Sequence, residues 1–183
     1  MNAYDFDNTI YNGDSSIDFY LYCLLRHPKI FVRLPKQIVG AIKYLFGNCS
    51  KTEFKQDFFA FLDKLDDVDA DVEGFWDRNL KKIKAFYIEK KCDTDVVISA
   101  SPRFLLEPVC NFMGVRLIAT EMNKKTGVIS GENCSGKEKV RRFILIYSNR
   151  IDEFYSDSYS DAPMTFIAKK SFMVYGNNIK EWN

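Results

Sequence analysis

Apolar positions along this chain follow two different rhythms, and the change between them falls near residue 91. Asn2 to Phe6 is a short apolar run that meets the polar turn Asp7-Asn8-Thr9, the pattern of a buried strand at the start of a fold. From about Ser15 to Lys91 the spacing turns helical. Ser15 and Ser16 are placed to cap a helix through Leu25; Pro28 ends it, and Pro35 breaks or kinks the next segment, Ile30 to Phe46. Ser50-Lys51-Thr52-Glu53 has the form of a capping box, opening a helix with Phe54, Phe58, Phe61, Leu62 and Leu65 on one face. A long helix from roughly Val72 to Lys90 aligns Val72, Phe75, Trp76, Leu80, Ile83 and Phe86.

After Cys92 strands and helices alternate. Asp95-Val96-Val97-Ile98 is a continuous apolar run, as expected of a strand buried on both faces. The pattern predicts a helix from Pro102 to Met113 stopped by Gly114, a strand from Val115 to Ala119, and a turn at Thr126-Gly127 with Val128-Ile129 returning. A helix from Gly136 to about Tyr147, a strand at Glu153-Phe154-Tyr155, a helix near Ala162 to Lys169 and a strand from Phe172 to Tyr175 complete the series. Such βα repetition implies an α/β fold with a mostly parallel sheet covered by helices.

Composition narrows the field. The chain has 183 residues, 46% hydrophobic and 28% charged, in the range of one ordinary globular domain or one domain carrying a small insert. Its 26 basic and 25 acidic residues give a net charge of +1, so bulk electrostatics do not point to nucleic acid. Five cysteines with no CxxC spacing argue against a disulfide framework or zinc site. The first residues carry no basic or apolar leader, and no apolar run approaches a membrane span, so the expected location is cytoplasmic.

Chemistry in open parallel sheets gathers at the carboxyl ends of strands. Those ends carry Asp5 and Asp7, Ser99, and Asp157 with Asp161, and Lys137 and Lys139 start a helix nearby. Several acids brought together need a compensating charge, and carboxylates suit Mg²⁺. Ser99 and a lysine then leave a place for a phosphate. Residues two apart at a strand end point the same way, so Asp5 and Asp7 can address one phosphoryl group, one as nucleophile and one as acid/base.

Four segments together resemble the motifs of the haloacid dehalogenase superfamily, in its order and across essentially the whole chain. Asp5-Phe6-Asp7-Asn8-Thr9 is similar to the first motif, Val96-Val97-Ile98-Ser99 to the second, Gly136-Lys137-Glu138-Lys139 with Val140 to the third, and Asp157-Ser158-Tyr159-Ser160-Asp161 to the fourth. The arrangement most resembles the phosphoserine-phosphatase-like branch. That resemblance implies a Rossmann-like core, residues 1–14 and 92–183, with an all-helical cap of the C1 type inserted after the first strand, residues 15–91. It implies Asp5 as the nucleophile and a metal ligand, Asp7 as general acid/base with its carbonyl on the metal, Ser99, Lys139 and Thr9 on the phosphate, and Thr9 also bracing the first loop. Asp157 would ligate Mg²⁺ directly, with Asp161 beside it in the metal set, through water or holding a neighbouring ligand. Lys139 rather than Lys137 fits the motif, and Ser101 is placed to cap the helix from Pro102.

The resemblance implies a Mg²⁺-dependent phosphomonoesterase acting on a small phosphorylated metabolite, with no nucleic-acid or obligate protein partner. Asp14 stands where that branch places an acid for the substrate's amino-acid part, and it can equally serve the helix N-terminus. No arginine is marked for a substrate carboxylate; Arg26, Arg33 and Arg78 are the candidates. Residues 26–51 are basic and amphipathic, a pattern suited to peripheral membrane contact. The alternatives are therefore a lipid-phosphate phosphatase at a membrane surface, or a membrane-surface binding protein with a vestigial site.

Overall fold

The computed structural model describes residues 1–147 and 150–182. Six strands form one sheet: β1 (Ala3–Tyr4), β2 (Val96–Pro102), β3 (Arg116–Thr120), β4 (Ile151–Ser156), β5 (Ala168–Tyr175) and β6 (Asn178–Glu181), in the order β3-β2-β1-β4-β5-β6. All neighbours are parallel except the edge pair β5–β6. The short β1 is the centre of the sheet. Ala3 registers with Val96 and Phe154, and Tyr4 with Val97 and Tyr155.

That register sorts side chains by face, as the period of two requires. Ala3, Val96, Ile98, Ile118 and Phe154 pack on one side with Phe143 and Met164, from α7 (Lys137–Ile146) and α8 (Ala162–Thr165). Tyr4, Val97 and Tyr155 lie on the other, with Leu105 and Val109 of α6 (Arg103–Phe112). Tyr4 stacks on Tyr155 at 4.8 Å between ring centroids, and Tyr155 on Phe172 at 4.8 Å, an aromatic row across three strands.

Between β1 and β2 the chain is helical: α1 (Ser15–Arg26), α2 (Leu34–Leu45), α3 (Lys51–Phe58), α4 (Val68–Asn79) and α5 (Ala85–Lys90), linked by 3-10 turns. This insert has no core of its own. Phe19, Phe61, Phe75 and Trp76 belong to the same buried cluster as Tyr4 and Val97. The Trp76 indole donates to the Leu105 carbonyl at 2.6 Å, tying α4 to α6.

Several sequence expectations change. Asp14, not Ser15 or Ser16, caps α1, accepting from the Ile17 amide at 3.0 Å. Pro35 opens α2 instead of kinking it, since a helix's first turn needs no donor there. The capping box at Ser50 and Glu53 is present as read. The long helix to Lys90 is broken at residues 80–84, where backbone bonds to the first loop win: Lys84 N donates to Ile10 O and Asn12 N to Lys82 O, both at 2.8 Å. Helix α8 stops at Thr165 because Ala168 already pairs with Ile151. Strand β6 is not announced by the sequence: only Ile179 of its four residues is apolar, which leaves little strand signal.

Candidate active site

Strand β1 ends at Tyr4, and the Asp5 amide donates to Tyr155 O at 2.8 Å, so Asp5 stands at the sheet's carboxyl edge. Asn8 takes φ +55°, a left-handed conformation that asparagine tolerates. Its amide donates to Gly13 O at 2.8 Å, and the Lys84 ammonium grips its carbonyl while donating to Gly176 O at 2.7 Å. Thr9, expected to brace this loop and serve the phosphate, is buried with its hydroxyl unpartnered among the described residues. It does not line the cavity; Lys84 does the bracing.

Lys139 turns inward and Lys137 outward. The Lys139 ammonium, 2% exposed, donates to Asp5 Oδ1 and to Asp161 Oδ2, each at 2.6 Å. Asp161 also accepts from the Ser156 hydroxyl at 2.8 Å. That carboxylate therefore supports the lysine.

Asp7 is oriented by two donors: the Ser15 amide at 2.7 Å and the Ser101 hydroxyl at 2.5 Å. Ser101 therefore serves Asp7 instead of capping α6, whose N-terminus has no side-chain cap bond. The buried Ser99 hydroxyl accepts from the Ser101 amide at 3.0 Å, which shapes the strand end into a small polar cradle.

These groups open on one cavity of about 380 Å³, a volume suited to a small ligand. Asp5, Asp7, Ser99, Lys139, Asp157 and Asp161 form its floor. The insert contributes Asp14, Ile17, Lys51, Phe54, Lys55, Phe58 and Phe59. Lys55 escaped the sequence reading. Its ammonium donates to Ala100 O at 2.5 Å and Asn133 Oδ1 at 3.2 Å, and burial pushes it down to about 8 against the charges of Asp7 and Asp14. A lysine between Phe54 and Phe58 on an amphipathic helix looks like an ordinary solvated residue; only the fold turns it to the sheet. The candidate arginines lie elsewhere: Arg33 pairs with Asp63, while Arg26 and Arg78 sit over the Tyr22 ring.

Electrostatically the floor has too much acid. Burial raises Asp5 to about 7, with Lys139 pulling it back, and raises Asp7 to about 6, with the Asp14 charge adding. Burial also raises Asp157. Burial acts against the charge on Lys139, but Asp5 and Asp161 outweigh it and hold the ammonium above its usual range. Among the described residues no three acidic, histidine or cysteine groups already converge as a ligand set. The donors are oxygen throughout, and excess buried negative charge beside a cavity is what a hard divalent cation relieves. Asp5, Asp7 and Asp157 are carboxylates on the cavity floor whose donor chemistry would suit such an ion.

The sequence profile of the haloacid dehalogenase-like hydrolases matches residues 3–165. No curated protein sequence matches the chain. Among solved structures, a protein of unknown function from Bordetella pertussis Tohama I superposes with a TM-score of 0.74 at 18% identity, covering 93% of this chain and 87% of that one. A hydrolase of the same family from Salmonella enterica serovar Typhi gives 0.62 at 13% identity, covering 91% and 59%. A phosphoserine phosphatase, solved as an analogue of its phospho-aspartyl intermediate, gives 0.51 at 18%, covering 92% and 83%. These are likenesses of fold.

Proposed function

The chain belongs to the haloacid dehalogenase-like hydrolase family, and from that premise we propose that it hydrolyses phosphomonoesters through a phosphorylated Asp5. One observation carries the reading. Lys139 bridges Asp5 and Asp161 at 2.6 Å on the floor of a cavity that also presents Asp7, Ser99 and Asp157.

Asp5 attacks phosphorus, and the ester P–O bond breaks. Asp7, raised to about 6, gives its proton to the leaving alkoxide. A water then surrenders a proton to Asp7 and attacks the aspartyl phosphate, freeing inorganic phosphate and restoring the Asp5 carboxylate. The Ser15 amide and Ser101 hydroxyl hold Asp7 in place through both steps. Ser99 and Lys139 offer donors to the phosphoryl oxygens, where charge develops. Mg²⁺, held by Asp5, Asp157 and the Asp7 carbonyl, would supply positive charge against those oxygens.

The insert acts as a cap over the substrate's leaving group. Lys51, Lys55 and Asp14 give it charged contacts, and Ile17, Phe54, Phe58 and Phe59 an apolar wall. A small phosphorylated metabolite suits the volume. The apolar wall also supports a second reading, the head-group phosphate of a glycerophospholipid.

Hydrolysis of a generic aryl phosphate tests the proposal. Turnover with Mg²⁺, its loss in EDTA, and a roughly thousandfold or larger drop in kcat for Asp5→Asn are expected. Absence of turnover with Mg²⁺ across phosphorylated metabolites and phospholipids would overturn it.

A further inference from the structure

Helix α2 inverts the usual arrangement of a surface helix, which buries its apolar stripe. Its inner side holds one aromatic, Tyr44, stacked on Phe54 at 4.9 Å between ring centroids, and is otherwise small and polar. Gly40 is its only buried residue, and a Cβ there would fall 2.7 Å from Asp57 Cβ. Gln37 donates to Phe58 O at 2.7 Å and accepts from the Tyr20 hydroxyl at 2.9 Å. This close seating on α3 fixes the helix's rotation.

Most of the aliphatic residues consequently face outward. Ile38, Val39 and Ile42 are about half exposed (51%, 49% and 49%), and Leu45 and Phe46 are 82% and 77% exposed. Steps of three and four place them on one stripe. Phe31 and Val32, in the 3-10 turn before α2, are exposed as well. Large contiguous apolar patches are uncommon on soluble monomers and mark interaction surfaces.

Charge selects the occupant. Residues 19–52 contain six basic residues and no acid. Lys36 and Lys43, seven apart, share the border of the stripe. Lys29, Arg33 and Lys36 pair with Asp66, Asp63 and Asp57, while Lys43 and Lys51 have no carboxylate within 4 Å among the described residues. A two-fold dimer through this face would oppose like charges with no acid on the segment to offset them. An anionic bilayer supplies both an apolar interior and negative headgroups.

We propose that α2 and the turn before it dock the protein on an anionic phospholipid surface, the stripe entering the interface and the lysines meeting headgroup phosphates. Vesicle flotation of the full chain tests this. Vesicles of equal parts phosphatidylglycerol and phosphatidylcholine should carry the protein upward at low salt and lose much of it at high salt. Ile42→Glu/Leu45→Glu should abolish flotation, and Leu145→Glu, at a distant exposed site, should leave it intact. Circular dichroism checks folding, and Lys36→Glu/Lys43→Glu, which leaves the apolar residues in place, should also weaken flotation. No flotation on the anionic vesicles would overturn the proposal. So would equal flotation on pure phosphatidylcholine, flotation unaffected by either double variant, or a solution dimer that Leu45→Glu dissociates.

Discussion

Lys139 and Asp5 stand 134 residues apart in sequence and 2.6 Å apart in space, ammonium to carboxylate, in a pocket that leaves the lysine 2% exposed. The same ammonium holds Asp161, so one cation keeps two buried acids from repelling each other. Lys139→Met would leave both uncompensated. Removing one partner of such a buried set costs about 3–5 kcal/mol. Denaturant unfolding of the variant at neutral pH should show a loss of that order, together with loss of turnover.

Lys55 links the insert to the Ser99–Ser101 turn through Ala100 O and Asn133. Lys55→Met removes that link without touching the floor of the cavity. A charged hydrogen bond of about 1.5 kcal/mol corresponds to roughly tenfold. Steady-state kinetics should show KM raised by about that factor, with kcat changed less.

The turn at Gly127 meets the insert backbone: a Cβ there would lie 2.5 Å from the Phe59 carbonyl oxygen. Gly47 has almost the same φ, +70° against +72°, with nothing near it. Alanine at either site incurs the left-handed strain of about 1–2 kcal/mol. Only Gly127→Ala adds the collision, so its melting temperature should fall well below that of Gly47→Ala.

Much of this architecture could be read from local signals. Val96 to Ile98 announces a buried strand because both its faces are covered, and Ser50 with Glu53 announces a helix start because capping is local. The strand ends likewise gave Asp5, Asp7, Ser99 and Asp157, all of which line one cavity. What escaped was set by distant partners. The break before α5 depends on Ile10 O receiving the Lys84 amide, and the early end of α8 on Ile151 pairing with Ala168. Lys55 and Lys84 became visible only once the fold brought backbone carbonyls to them. Neither contact leaves a trace in hydrophobic spacing.

Glu138, at the start of α7, is held down to about 2 by hydrogen bonds from Arg141, which outweigh burial, with Arg142 adding. A carboxyl lowered by folding stabilises above its unfolded value, near 4.3, and that contribution disappears as pH falls toward 2. Thermal melts should therefore place Glu138→Gln below the wild type at pH 7, with the gap closing as the pH is lowered from about 5 to about 2.

The central claim is that Asp5 carries the phosphoryl group in the course of hydrolysis, and trapping it is the most direct measurement. The protein is turned over on a phosphomonoester with Mg²⁺, quenched in acid, and its peptides are weighed by mass spectrometry. One phosphoryl group on the peptide containing Asp5, absent from Asp5→Asn, is the predicted result; a wild-type rate of hydrolysis in Asp5→Asn, or a phosphoryl group only on another residue, would contradict the account.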